Sequence, residues 1–392
     1  MATEGSTIRA ATARAKATPR GASSRADSAT LLTITTAALV LLGLIMILSA
    51  SFVTSFAEYG SSFLFFKKQL LWAAIGIVAF IACARLDYRK LRGWGYVLLA
   101  GVIFALFAVL VPGLGVVAGG SARWLNLGPL SFQPSELGKL ALILFAADVF
   151  SRKQPSTMRE FGHTMLPIVP ILAVLGLLIM AQPDMGTTLL IGIIGFGMLF
   201  LAGAPARYLI AMGLGSAGIA VMAAIAEPYR RERMLAFLDP WKDRLDSGYQ
   251  TIQSLIALGS GGWFGVGLGA SRQKWMYVPN AHTDFIYSIL GEELGLLGTL
   301  TVLGLFAFLA YLGIRTARRA PDRFGMFIAS GVTLWMAFQA LINIGAVTAT
   351  LPVTGVPLPL VSFGGSSLVV SLVGMGILTN IARQTDLARR KK

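Results

Sequence analysis

The side chains able to do chemistry in this sequence are few, and they stand at the edges of long apolar runs. His282-Thr283-Asp284 lies where a polar stretch gives way to an apolar one. An aspartate of ordinary pKa, ~3.9, is ionised at neutral pH and can accept a proton. The same acid in the first turn of a helix can instead cap it or complement its dipole. Gln133-Pro134-Ser135-Glu136-Leu-Gly-Lys139 opens another apolar run. It reads as a helix start, with Ser135 as N-cap and Glu136 and Lys139 paired on one face. Charges facing lipid are costly, so that pair should point into a bundle or a wet cavity, where an ionisable pair is a functional candidate. Glu292 and Glu293 stand about two turns beyond Asp284, at ~1.5 Å of rise per residue, and suggest a packed polar cluster or a cavity lining.

Other signals are weaker. In Gln182-Pro-Asp184-Met-Gly186-Thr-Thr188, Pro-Asp and Gly mark a turn, and Asp184 can cap the next helix. The glycine-rich Gly259 to Gly269 stretch contains Gly265-x-Gly267-x-x-Ala270, a formal dinucleotide fingerprint. It lacks the strand, helix and ribose-binding acid of a βαβ unit, so its glycines are assigned to tight turns and close backbone approach. Pro352, Pro357 and Pro359 precede Ser362-Phe-Gly-Gly-Ser-Ser367, which reads as a loop folding back into a bundle mouth. His163 and His282 belong to no metal-ligand cluster, which argues against zinc. The single cysteine, Cys83, lies in an apolar run and is expected to be inert.

The elements that must position these groups are membrane helices. Of 392 residues 55% are hydrophobic and 13% charged, and mean hydropathy is +0.72. A water-soluble core cannot absorb that much apolar sequence. Ten spans are expected, Leu31 to Phe52, Gln69 to Ala84, Gly93 to Val111, Ser135 to Phe150, Met165 to Met180, Thr187 to Leu201, Tyr208 to Ala226, Thr283 to Leu312, Phe324 to Val347 and Ser366 to Ile381. The fold class is thus an all-α integral membrane protein with one large extracytoplasmic loop, 227–282, between the seventh and eighth helices. Residues 1–30 are expected to form a disordered basic cytoplasmic tail, 31–382 the membrane domain and 383–392 a second basic cytoplasmic tail. The first span is too long for a signal peptide and should remain.

The net charge of +15 does not call for nucleic acid, because the basic residues collect between spans. With both termini cytoplasmic, the short loops obey the positive-inside rule. The 227–282 loop also carries Arg230, Arg231, Arg233, Lys242, Arg244, Arg272 and Lys274, on the side where orientation does not require them. Either a long loop needs soluble residues, or the charges bind an anion.

Taken in order, Arg123-Trp124, Gln133 to Lys139, Gln182-Pro-Asp184-x-Gly-Thr, Phe237-Leu-Asp-Pro-Trp241, Gly248-Tyr-Gln250, His282-Thr-Asp284-Phe-Ile, Gly291-Glu-Glu-Leu-Gly295, Asn343-Ile-Gly345 and Leu358 to Ser367 resemble the SEDS (shape, elongation, division, sporulation) proteins. The resemblance covers nearly everything after the N-terminal tail. It implies a ten-helix protein of the bacterial inner membrane that polymerises lipid II into glycan strands on the outer face. It places Asp284 at the family's catalytic aspartate, and among the substrate-binding residues it places Glu136 and Lys139, at the family's functionally important acid and base in the fourth span, and Trp124, at its tryptophan after the third. His282 joins the expected substrate contacts as Asp284's neighbour. The basic tail and Tyr277 to Asp284 look like the division branch, FtsW, whereas Leu351 to Pro357 is closer to the elongation branch, RodA. Phe363 stands where the family often has Tyr.

The implied reaction needs a general base, assigned to Asp284, and cations for the diphosphate of undecaprenyl-diphosphate-linked glycan. Arg123, Arg231, Arg233 and Arg272 lead for that clamp, because a planar guanidinium fork suits phosphate, with Lys274 alongside. A divalent cation could share the task, and no acidic cluster identifies a site for one. Implied partners are a class B penicillin-binding transpeptidase and other division proteins. A lipid II flippase is the rival, and it would favour broken helices and a midplane site.

Overall fold

The computed structural model describes residues 27–118, 121–128, 130–154, 156–226, 237, 239–242, 244, 248–275, 277–279 and 281–390. A helix overlies each apolar segment. The helices are α1 (Ser28–Tyr59), α2 (Leu64–Arg85), α3 (Trp94–Leu110), α4 (Pro134–Ser151), α5 (Val169–Met180), α6 (Met185–Ala202) and α7 (Ala206–Ala226). After the long connection, which holds α8 (Tyr249–Gly261), come α9 (Ile286–Arg319), α10 (Arg323–Val347) and α11 (Gly365–Arg390). Among the described residues, α1, α2, α6, α9, α10 and most of α11 are long and apolar enough to cross a membrane, while α3 and α5 are shorter apolar helices. α4 carries Glu136, Lys139 and Asp148 along its length, and nearly every residue of it is buried. It is the central post of the bundle, packed against α3, α6 and α10.

Three expectations need correction. The fold is mostly helical and not wholly so. Between α3 and α4 runs a three-stranded antiparallel sheet, β1 (Gly115–Ala118), β2 (Ser121–Leu127) and β3 (Leu130–Phe132), in the order β1-β2-β3. Trp124 on β2 pairs with Val116. Ser135 is not the cap of α4, because Pro134 already fills the first helical position and Gln133 precedes it; Ser135 Oγ is buried without a hydrogen-bond partner among the described residues. Asp284 lies before α9 instead of in its first turn, since Phe285 is the cap residue and the helix begins at Ile286.

α9 is also interrupted. Gly295 takes φ 68° and ψ −165°, a combination essentially confined to glycine. Residues 262–267 fill the gap. Val266 and Gly267 donate their N–H groups to the carbonyls of Glu292 and Glu293 at 2.9 and 3.1 Å, and the freed Leu296 and Leu297 N–H groups bond the carbonyls of Gly262 and Trp263 at 2.9 and 3.2 Å. Four polar groups at the break, the Glu292 and Glu293 carbonyls and the Leu296 and Leu297 N–H groups, thus find backbone partners in the loop, as buried backbone requires. A Cβ at Gly295 would run into Gly265 N, so the close approach explains the glycines at both positions.

Candidate active site

The α4 pair is an enclosed ion pair. Lys139 Nζ lies 2.9 Å from both carboxylate oxygens of Glu136, with side chains 1% and 3% exposed. Its third donor reaches Gln339 Oε1 on α10 at 3.0 Å, and the ammonium sits 5.0 Å from the Trp335 ring centroid. The pair is electrically neutral and fully bonded, which is what burial of two charges demands. Neither side chain reaches the surface.

Gln339 continues the chain of bonds. Its Oε1 also accepts from Trp335 Nε1 at 2.7 Å, and its Nε2 donates to Pro357 O at 2.9 Å. One turn further along α10, Asn343 Nδ2 donates to both Val356 O and Asp284 O at 2.8 Å. The carboxylate of Asp284 lies over Gly355, where a Cβ would come 3.6 Å from Oδ2. The non-helical segment between α10 and α11 thus runs beside the acid, as expected of a loop folding back into the bundle.

Around this core the other motifs gather. Asp184 caps α6, accepting from Thr187 N at 3.0 Å, and also holds Gln133 Nε2 at 3.2 Å. Arg123 reaches across from β2 to the carbonyls of Gln182 and Pro183 at 3.1 and 2.6 Å, tying the sheet to the α5–α6 turn. His282 stacks on Phe65 with centroids 4.7 Å apart and meets Phe363 edge-on at 5.5 Å. Burial in that aromatic setting pushes its pKa down to about 4. Its ring is therefore neutral at physiological pH.

The loop cations divide. Lys274 is buried, 3.3 Å from Glu293 Oε1 and bonded to Gly269 O at 2.6 Å. Glu292 accepts from the backbone N–H of Arg272 at 2.9 Å and from the Ser271 hydroxyl. The two glutamates form a packed polar cluster that fastens the loop to α9, and Lys274 is committed to it. Arg272 is exposed on that fastened turn. Arg231 and Arg233 lie outside the described residues. Among the described residues, no three His, Cys, Asp or Glu side chains gather as metal ligands would.

Gln339 was not among the residues singled out from sequence. Its signal was present, because Trp335, Gln339 and Asn343 recur every four residues and so share one face of an apolar helix.

A polytopic helical bundle with an enclosed ion pair, a re-entrant segment and an acid at its mouth defines an integral membrane protein with a polar centre. Residues 29–387 match the family model of the FtsW, RodA and SpoVE cell cycle proteins, and the chain belongs to that family. Stage V sporulation protein E of Bacillus subtilis is 45% identical over 354 residues, 90% of this chain and 96% of that protein. A protein of Geobacter sulfurreducens described as a probable peptidoglycan glycosyltransferase FtsW is 42% identical, covering 88% of this chain and 92% of its own. Among solved structures, a chain of a peptidoglycan synthase complex that coordinates polymerization and crosslinking aligns with a TM-score of 0.74 at 30% identity, over 90% of this chain and 97% of that one. The rod shape determining protein RodA of Thermus thermophilus aligns at 0.66 with 28% identity, over 90% and 96%.

Proposed function

We propose that this chain is a peptidoglycan glycosyltransferase that polymerises lipid II at the outer face of the bacterial cytoplasmic membrane, in the division branch of the family. All ten helices overlying apolar segments cross the membrane, with both termini inside. The observation that carries the activity is the match along nearly the whole chain to proteins so described, joined to an acid, Asp284, held at the mouth of the bundle.

In the reaction, the 4-hydroxyl of one lipid II attacks the anomeric carbon of the lipid-linked strand. Asp284 accepts the hydroxyl proton as the new glycosidic bond forms, and undecaprenyl diphosphate departs with the electron pair of the broken bond. Exposed Arg272, with Arg231 and Arg233, supplies positive charge for that diphosphate. Arg123 holds the α5–α6 turn through the Gln182 and Pro183 carbonyls, and His282, two residues before the acid, presents a neutral ring against Phe65 and Phe363. A class B penicillin-binding transpeptidase cross-links the product, consistent with the complex named for one structural neighbour.

The break in α9 favours a second reading, a lipid II flippase, since interrupted helices mark transporters. Here loop 262–267 fills the break, and its Val266 and Gly267 N–H groups occupy the Glu292 and Glu293 carbonyls that an ion would otherwise use. Purified protein in vesicles with lipid II separates the two, because the enzyme lengthens glycan and a flippase only moves substrate across. In the source cell, depletion should give filaments with blocked septa; rounded cells would assign the chain to elongation instead.

A further inference from the structure

Glu136 and Lys139 are enclosed, so any influence they have on the reaction must pass through other groups. Gln339 is the contact. Two donors, Lys139 Nζ and Trp335 Nε1, converge on its Oε1 at 3.0 and 2.7 Å. An amide with its oxygen fixed in this way has its nitrogen fixed too, and Nε2 faces Pro357 O at 2.9 Å. Asn343, four residues on, grips the neighbouring carbonyl, Val356 O, and with the same nitrogen the carbonyl of Asp284. Gln339 is 0% and Asn343 2% exposed, so both amides make these bonds from inside the bundle, where they are electrostatically stronger than in water. The peptide from Gly355 to Pro357, which flanks the Asp284 carboxylate, is thus held at two consecutive carbonyls by α10, and Asp284 is held by its own.

We propose that Gln339 and Asn343 are positioning residues for Asp284, and that the Glu136–Lys139 pair acts on the reaction by setting the orientation of the Gln339 amide. Neither amide touches substrate. Each keeps the acid and the segment beside it in the geometry that proton transfer needs, where a displacement of about 1 Å can cost on the order of 10²-fold in rate. The proposal rests on Asp284 being the general base.

Two variants separate the parts. Asn343→Ala removes the grip on Asp284 and Val356. Gln339→Glu keeps an oxygen for Lys139 and Trp335 but removes the donor to Pro357. Both are purified in detergent, checked for folding by thermal melting, and assayed for polymerisation across lipid II concentrations. Both should lower kcat by about tenfold or more while KM changes by less than about twofold, since a group acting in the transition state alone leaves ground-state binding intact. The double variant Asp284→Asn with Asn343→Ala should be no slower than Asp284→Asn alone, because positioning has no value once the acid is gone. Wild-type kcat in both folded variants, or a double variant slowed by the full product of the single effects, would overturn the proposal. So would failure of both variants to assemble, which would assign the amides to folding alone. If Asp284→Asn itself polymerised at the wild-type rate, the general-base reading would fail and the proposal with it. An inactive Asp284→Asn beside fully active amide variants would leave that reading standing and reject this one.

Discussion

His282 shows how a single side chain reports its surroundings. Its folded pKa, lowered to about 4 by burial, lies below the ~6.5 of an unfolded histidine. Between those values the unfolded chain binds the extra proton, so stability falls as pH drops through that window and is complete above it. His282→Phe should flatten the decline in melting temperature between about pH 6.5 and 4 relative to wild type. Parallel melting curves would mean that the ring charges in place. Lys139→Ala leaves the Glu136 carboxylate enclosed without its counter-ion, and a broken buried pair typically costs about 3–5 kcal/mol. Thermal melting should show that loss, and near-normal stability and activity would show that water reaches the pair. At this scale the burial of Glu136 and Lys139 as a pair was legible, because charges inside an apolar run are conspicuous and must be enclosed. Gln339 was not, since a lone amide carries no charge and the ammonium it meets, Lys139, lies 200 residues away in sequence.

Among the elements, the apolar helices were legible in place, because each is defined by a continuous run of like residues, but not at every end. α1 runs seven residues past Phe52, α9 seven past Leu312 and α11 nine past Ile381, where polar residues continue the helix. The β1–β3 sheet could not. Its strands are three to seven residues long and sit in a connection whose turns, such as Gly128 at φ 76°, resemble ordinary loop signals. The interruption of α9 was equally hidden, because Gly295 lies in sequence that reads as one span and is opened by contacts with residues 262–267, nearly thirty positions earlier. Gly295→Ala must place a Cβ against Gly265 N in a backbone conformation that costs about 1–3 kcal/mol for other residues. The expected outcome is a lower melting temperature together with faster proteolysis of the loop that Glu292 and Glu293 hold. An unchanged melt would mean that the loop docks without the break.

Across the whole molecule the two ends of the bundle differ in kind. One gathers Asp284, the re-entrant segment and the fastened loop; the other is tied by compact polar clasps. There Asp322 accepts from Tyr88 Oη at 2.6 Å and from Arg89 Nε at 2.9 Å. Burial pushes the Asp322 carboxyl up, but the Gly325 N–H, Tyr88 and Arg89 together outweigh it and hold the carboxyl below its usual range. In the orientation proposed above, from the positive-inside rule, that clasped end faces the cytoplasm. In a Cys83→Ser background, single cysteines in 262–270 should label from outside and those in 315–323 should not. Labelling of both would overturn the orientation. If Asp284 is the proton acceptor of a lipid II polymerase, removing its basicity must slow the chemistry while leaving the fold intact. Asp284→Asn keeps shape and hydrogen bonding but cannot take the proton, so the folded, purified variant should lengthen glycan from lipid II about 10²- to 10⁴-fold more slowly than wild type when products are separated by size. Polymerisation by folded Asp284→Asn at the wild-type rate would contradict it.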